Sequence, residues 1–266
     1  MRNLGKKIRL GRLFNRKSGK IVGIALDHGL GTPAEQGLAS IKDTISMAVD
    51  AGADAIMVNK GIAKHAFEEH ANSDTSLIIK LGGATRTAKG SLVKIATSEE
   101  ALYYGADMGS STFLYNSKYD CNTLELIAEL SRECEQKGLP FMVHAYARGE
   151  LLEKQRHLDP KELKIAVRAA VEIGADIVKT SYPGNKEGFR EVLSVCPVPL
   201  VIAGGHDVQD DEGFLRKIKD AIDAGACGVM VGTNCWLNKN PKGMIKALIK
   251  IVHYNADIEE ALLEFK

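Results

Sequence analysis

Three lysines follow short β-type runs, at positions where an amine could take part in chemistry. Lys60 follows AIMVN, Lys80 follows SLII, and Lys179 follows DIV. A lysine inside a strand covered on both faces loses hydration, which lowers its pKa and leaves a neutral amine able to attack a carbonyl. The alternative is a lysine that extends to solvent or pairs with a carboxylate such as Asp27. Position alone does not choose among the three.

An acid and a phenol end two other runs. Asp27 ends the first run, beside His28; its carboxylate either relays protons and holds a substrate hydroxyl or balances a lysine charge. Tyr146 ends the fifth run. A tyrosine titrates near pH ~10, and a nearby lysine would lower that value and suit the phenol to proton transfer. The alternative is a core tyrosine whose hydroxyl is satisfied.

Glycines end the last two runs, at Gly204, Gly205 and Gly232. If the chain is an α/β barrel, these are the places where backbone N–H groups often bind phosphate. Close packing of strand and helix is the alternative explanation. The glycines therefore favour a phosphorylated substrate.

Histidines give little support for a metal site. His65 and His70 are five residues apart and do not share a helix face as an i,i+4 pair would. His28, His144 and His206 could meet at one end of a barrel, but no carboxylate–histidine spacing accompanies them. We predict no metal and no cofactor.

A short repeat indicates the elements that position these residues. Gly-Ala-Asp or Gly-Ala-Cys ends a helix-period segment and precedes a β-type run at 52–54, 105–107, 174–176 and 225–227. The glycine suits a left-handed helix end. Four further runs begin at Lys20, Ser76, Pro140 and Pro199. Eight runs alternating with helices predict parallel strands in a single (β/α)8 TIM barrel, whose active site lies at the C-terminal strand ends.

Other organisations remain open at this point. A doubly wound sheet has the same alternation, although no GxGxxG follows the first strand. The segment SLVKIATS, after the third run, is either a short extra strand or a loop. No linker divides the chain, so residues 1–266 are expected to form one domain.

Composition limits the partners. The net charge of +1 gives no global field for nucleic acid or membranes. The basic leader, residues 1–19, is either a nucleic-acid arm or, as we favour, a solvated segment that packs Leu4, Ile8, Leu10 and Leu13 under the barrel. No apolar stretch reaches the ~18 residues of a membrane span. Five cysteines without a CxxC pair are typical of reduced thiols in a cytoplasmic protein.

Several motifs together resemble those of one family. They are DHG at Asp27, YARG at Tyr146, DIVKTSYPG around Lys179, CPVPLVIAGG from Cys196 and GVMVGTN from Gly228. They are similar to the archaeal-type class I fructose-bisphosphate aldolases of the DeoC/FbaB-like group, and most similar in pattern to the 2-amino-3,7-dideoxy-D-threo-hept-6-ulosonate synthases. The likeness covers nearly the whole chain.

The resemblance implies an aldolase or transaldolase that acts on a ketose or sugar phosphate. It implies that Lys179 forms the Schiff base, Tyr146 transfers protons and Asp27 assists imine formation. It also implies a cytoplasmic homo-oligomer, with ten subunits in some relatives. The residues expected to bind substrate or its phosphate are Gly204, Gly205, Gly232, Thr233, His28 and Lys60.

One departure from the family pattern concerns phosphate. Gly232-Thr233-Asn234 stands where the family usually carries Gly-Arg-Asn, so a bidentate cationic partner is missing. Either Lys60, Lys80 or Arg86 supplies the charge, or phosphate matters less. The missing arginine suggests one alternative function, a non-catalytic sugar-phosphate-binding barrel. The resemblance implies another, a coenzyme A-dependent thiolase of a phosphorylated dione, which is a related activity.

Overall fold

Eight parallel strands close into a barrel in the computed structural model, which describes residues 3–34, 36–88, 90–205 and 210–265. Each strand pairs with the next along the chain, and the last pairs with the first, with Ile21 opposite Gly228. Closure confirms the (β/α)8 barrel and excludes the doubly wound sheet. The strands are β1 (Ile21–Ala25), β2 (Ala55–Val58), β3 (Ser76–Lys80), β4 (Met108–Leu114), β5 (Phe141–Tyr146), β6 (Ile177–Thr180), β7 (Leu200–Ala203) and β8 (Gly228–Val231).

Helices surround the barrel, and one precedes it. They are α1 (Leu4–Leu13), α2 (Ile41–Asp50), α3 (Lys60–Ala66), α4 (Ser98–Tyr103), α5 (Asp120–Lys137), α6 (Pro160–Glu172), α7 (Lys186–Ser194), α8 (Asp211–Ala224), α9 (Thr233–Trp236), α10 (Pro241–Tyr254) and α11 (Ile258–Leu262). Short 3-10 turns lie at His28–Leu30, Gln36–Leu38, Glu68–His70, Lys154–Arg156 and Leu263–Phe265. Among the described helices, none has the length and apolar character needed to cross a bilayer.

The Gly-Ala-Asp repeat has a structural role at the base of the barrel. Its glycines adopt positive φ, for example 101° at Gly174, which ends a helix and turns the chain into a strand. Two of its aspartates then accept a backbone hydrogen bond from the neighbouring strand: Asp54 from Val22 at 2.6 Å and Asp176 from Phe141 at 2.9 Å. The repeat therefore fixes the strand starts relative to one another.

Two apolar cores lie on either side of the strands. The larger fills the space between strands and helices. The smaller lies inside the barrel and is built largely from inward-facing residues such as Met57, Met142 and Met230. From α1, only the end of the leader reaches this inner core: Leu13 is fully buried, with Leu10 packed against it. The expectation that all four leader residues pack was wrong, because Leu4 and Ile8 are exposed.

Polar side chains replace the apolar ones above the inner core. Side chains alternate along a strand, so the position two residues beyond an inward-facing residue also faces inward. Ile78 is thus followed by Lys80, Met142 by His144, and Ile177 by Lys179. This polar layer lies at the C-terminal ends of the strands, where barrel enzymes carry their active sites.

A two-residue β-ladder next to the barrel shows whether the segment SLVKIATS is a strand or a loop. Gly82–Gly83 pairs antiparallel with Val93–Lys94, so part of SLVKIATS is indeed a short strand. The chain between the two strands lies beside the mouth of the barrel, where its described residues line a cavity.

Candidate active site

Lys179 is a buried amine without a partner. Only 6% of the residue is exposed, and among the described residues its Nζ makes no hydrogen bond or ion pair. Burial lowers the pKa of Lys179 to about 8, with Asp27 opposing the shift and the positive charges of Lys80 and Arg148 reinforcing it. A substantial share of this side chain is therefore a neutral amine near pH 8, which is the form that attacks a carbonyl.

Lys80 is equally buried but fully paired. Its Nζ donates to Thr112 Oγ1 at 2.8 Å, contacts His144 Nδ1 at 3.0 Å and lies 3.4 Å from Asp27 Oδ2. An ammonium has three protons, and three acceptors surround this one. Burial lowers the pKa of Lys80 while Asp27 opposes the shift. Because three acceptors surround its Nζ, we assign Lys80 as a structural cation at the floor of the site and not as the nucleophile.

Lys60 is not brought into this group. It is the first residue of α3, and its Nζ donates to Glu100 Oε1 at 2.5 Å with the side chain 40% exposed. The ion pair links the start of α3 to α4 at the protein surface. Lys60 is also absent from the wall of the mouth cavity.

The negative charge of Asp27 interacts with both buried lysines, Lys80 and Lys179. It follows β1, and its side chain is almost buried. Burial would raise the pKa of Asp27, but the positive charges of Lys80, His28 and Lys179 outweigh this effect and lower it. The carboxylate therefore stays ionised and interacts electrostatically with Lys179.

Tyr146 ends β5 on the same side of the barrel. We expected a nearby lysine to lower its pKa, and this expectation was wrong. Burial raises the pKa of Tyr146 above its ordinary value; Arg148, which stacks over the ring at 5.2 Å, opposes the shift, and Asp27 adds to it. The hydroxyl is therefore protonated at neutral pH, and the resting residue is a proton donor.

The glycine-bearing strand ends lie side by side. A Cβ on Gly204 would come within 2.1 Å of Asn234 Oδ1, and a Cβ on Gly232 within 2.6 Å of the His28 ring. The ring of His28 also meets Trp236 edge to face at 5.6 Å. His28 and the two strand ends therefore form one surface, which we call the glycine face, and a side chain at either glycine would disrupt it.

Two further predicted residues belong to the glycine face. Thr233 opens the short helix α9, whose first N–H groups have no partner within the helix. Gly205 has a φ of 79°, a conformation that suits glycine. Lys217, which the sequence analysis did not single out, donates to the Gly204 carbonyl at 2.9 Å and brings a positive charge there. His206 lies outside the described residues.

The mouth of the barrel holds a cavity of about 630 Å³. Asp27, Lys80 and Thr112 line its inner part, and the outer part carries Arg86 and Arg148. Cationic side chains outnumber acidic ones on this wall, with Lys118 and Glu150 completing the charged set. The cavity therefore suits an anionic small molecule.

A larger groove of about 1010 Å³ lies at the opposite end of the barrel, around Asp54, Asp107 and His253. These two carboxylates are committed to structural contacts: Asp54 accepts from His253 at 2.9 Å and from the backbone of Val22, and Asp107 pairs with Arg12. We assign the chemistry to the smaller cavity, because Lys80 and Asp27 of the polar layer line it. Within the described ranges, no three His, Cys, Asp or Glu side chains are grouped as metal ligands are.

The pKa of Lys179 predicts how its reactivity depends on pH. The lowered value means that the neutral amine is present above about pH 8 and is lost as pH falls below it. We expect reductive trapping of a ketone by cyanoborohydride to rise with pH and level off, with a midpoint near pH 8. At pH 7 the neutral fraction would be about a tenth. A midpoint near the ordinary lysine value of 10.5 would contradict a buried amine.

Sequence reasoning missed part of this arrangement. The sequence indicated no role for Thr112, presented His144 only as a histidine that could meet others at one end of a barrel, and contained Arg148 only within the YARG motif. In the structure, strand register brings two of these residues to Lys179: Thr112 pairs with His144, and His144 pairs with Lys179, on neighbouring strands. The position of Asn234 over Gly204 had no signal in the sequence.

Comparisons with known proteins identify one family of aldolases. The model of a family described as DeoC/LacD family aldolase matches residues 21–238. The 2-amino-3,7-dideoxy-D-threo-hept-6-ulosonate synthase of Halobacterium salinarum is 34% identical over 265 residues, covering 98% of this chain and 97% of the relative. Its counterpart from Archaeoglobus fulgidus is 35% identical over 261 residues, covering 97% of this chain and 95% of the relative.

Solved structures agree with this family. A Schiff-base-forming fructose-1,6-bisphosphate aldolase superimposes with a TM-score of 0.85 at 29% identity, covering 93% of this chain and 99% of that one. An archaeal fructose-1,6-bisphosphate aldolase, with its catalytic lysine bound to the carbinolamine intermediate, gives a TM-score of 0.83 at 27% identity, covering 93% and 99%. The family resemblance inferred from the motifs is confirmed.

Proposed function

Because this chain belongs to the DeoC/LacD family of aldolases, we propose that it makes and breaks a carbon–carbon bond of a ketose or sugar phosphate through a Schiff base on Lys179. Like its homologues, the enzyme is a class I aldolase, a carbon–carbon lyase. One observation carries the choice of residue. Of the three strand-end lysines, only Lys179 is both buried and without a partner among the described residues, whereas Lys60 and Lys80 are engaged.

The reaction begins with the neutral amine. Lys179 Nζ adds to the ketone carbon to give a carbinolamine, and loss of water leaves a protonated imine. Asp27, ionised beside the amine, assists the proton transfers of these steps. In cleavage, the bond between the carbons α and β to the imine breaks, its electron pair moves toward the iminium nitrogen, and an enamine remains. In synthesis the enamine attacks an aldehyde and the iminium forms again.

Tyr146 handles the proton of the second carbonyl compound. In the synthetic direction the aldehyde oxygen gains negative charge as the new bond forms, and the protonated phenol donates to it. In cleavage, the hydroxyl formed from this oxygen must give its proton back to Tyr146. The raised pKa of Tyr146 supports the donor role in the resting enzyme.

Charge supports an anionic substrate. The glycine face offers backbone N–H groups at Thr233 and the positive charge of Lys217, and the mouth cavity carries Arg86 and Arg148. Of these cations, Lys217 contacts the glycine face, where the Gly-Arg-Asn pattern would carry its arginine. We therefore place the phosphate of the substrate at the glycine face, with Lys217 as its cation.

Reductive trapping tests the proposal. The protein is incubated with dihydroxyacetone phosphate, fructose 1,6-bisphosphate or hydroxyacetone and reduced with borohydride, and the adduct is located by intact mass and peptide mapping. We expect one adduct per chain, on Lys179, and the same result in the control variant Lys60→Met. An active enzyme with unmodified Lys179, or an adduct on Lys80, would refute the assignment. Turnover that requires coenzyme A would indicate the thiolase instead.

A further inference from the structure

His144 lies at the centre of the polar layer. It is paired in register with Thr112 on β4 and with Lys179 on β6, and its ring centroid is 6.4 Å from that of Tyr146. The residue is 3% exposed. Burial lowers the pKa of His144 well below its ordinary value, and the charges of Lys80, Lys179 and His28 lower it further. The imidazole is therefore neutral in the working enzyme.

The partner of His144 fixes where its single proton resides. We assign Lys80 as an ammonium from its surroundings, since the carboxylate of Asp27 lies 3.4 Å away and three acceptors face its three protons: Thr112 Oγ1, Asp27 Oδ2 and His144 Nδ1. Nδ1 must therefore accept from Lys80. A neutral imidazole carries one N–H, so its proton is on Nε2.

Among the described residues, the Nε2–H group of His144 has no acceptor. The atom is shielded from solvent and makes no hydrogen bond within the described part of the chain. Buried donors are almost always paired, and an unpaired one is costly enough to need an explanation. The neighbouring residue on β6 is Lys179, where the substrate is expected to attach. The missing acceptor is therefore best supplied by the substrate.

We propose that His144 Nε2–H donates a hydrogen bond to a hydroxyl oxygen of the ketone bound to Lys179, and that the enzyme thereby selects α-hydroxy ketones. The inference rests on the proposed function. Paired residues on adjacent strands are about 4.8 Å apart, so the side chains of His144 and Lys179 start from neighbouring positions on the barrel wall, and we place the oxygen close to the carbon joined to Nζ. The carbonyl oxygen itself leaves as water when the imine forms. The lasting acceptor is thus a hydroxyl on the carbon next to it.

Two small ketones and two matched variants test this inference. Hydroxyacetone carries the hydroxyl and acetone lacks it, so we measure the ratio of their trapping rates on Lys179 under cyanoborohydride. His144→Asn keeps an acceptor near the position of Nδ1 but has no group at Nε2, whereas His144→Gln can place its amide donor there. We expect the ratio to fall about tenfold in His144→Asn and only about twofold in His144→Gln. An unchanged ratio in His144→Asn would overturn the proposal.

The wild-type protein provides a second test that needs no variant. Long-range ¹⁵N–¹H NMR reports which ring nitrogen of His144 carries the proton. We expect Nε2 to be protonated in the free enzyme, and its signal to move in the reduced hydroxyacetone adduct but not in the acetone adduct. A proton on Nδ1, or equal shifts in both adducts, would overturn the assignment. A failure of both ketones to label Lys179 would instead contradict the proposed function.

Discussion

Replacing Lys179 with methionine is expected to abolish Schiff-base trapping and to lower kcat by at least about 10⁴-fold, the scale of losing a covalent nucleophile. Methionine has a similar length and volume, so the pocket stays filled, and it removes a desolvated amine from the barrel interior. The measurements are steady-state turnover, intact mass after borohydride reduction, and the thermal midpoint. We expect the thermal midpoint of Lys179→Met to equal or exceed that of the wild type.

The matched control for this experiment is Lys60→Met, which removes a lysine from a similar strand end. Because Lys60 pairs with Glu100 at the surface, the variant should keep wild-type trapping and turnover, apart from at most a small loss of stability. Trapping that persists in Lys179→Met would show that another amine, with Lys80 the nearest candidate, forms the imine. The assignment made here would then be wrong.

The second large effect is expected at Tyr146. Tyr146→Phe keeps the ring that Arg148 contacts and removes only the hydroxyl. We expect the rate of carbon–carbon bond formation and cleavage to fall by about 10²–10⁴, the usual contribution of a general acid or base. Imine formation should persist, since the amine and Asp27 are untouched. The distinguishing measurement compares turnover with borohydride trapping in the same preparation.

A parallel loss of trapping and turnover in Tyr146→Phe would contradict the expectation that imine formation persists. It would assign the phenol to imine formation rather than to the proton transfer that accompanies bond cleavage. Isotope exchange at the carbon next to the imine separates the two cases further: a variant blocked only in cleavage still forms the enamine and still exchanges that proton with solvent.

The fold was largely predictable because its signals are local and repeated. Gly174, with its positive φ, and Asp176, which caps the neighbouring strand, are parts of a motif visible in the sequence. Strand number and order follow from eight β-type runs that alternate with helices, four of which this motif precedes. Which leader residues are buried was less predictable, since Leu4 and Leu13 are equally apolar and only packing decides which of them is buried.

The site was predictable in its residue types but not in its pairings. Whether Lys60, Lys80 or Lys179 is unpaired depends on which acceptor each one meets, and Glu100 comes from a helix far along the chain from Lys60. The pKa of Tyr146 depends on how deeply the hydroxyl is buried. Both are properties of three-dimensional packing, which the spacing of residues in one sequence does not record.

The aspartates at the base of the barrel have a consequence for how such an enzyme can diverge. Asp54 and Asp176 join neighbouring strands at their N-terminal ends, far from the lysines at the other end. Residue changes near the lysines therefore leave the aspartate interactions at the opposite end of the barrel largely unaffected. Residue changes near the lysines, such as those after β8, can therefore alter the site while the scaffold remains intact.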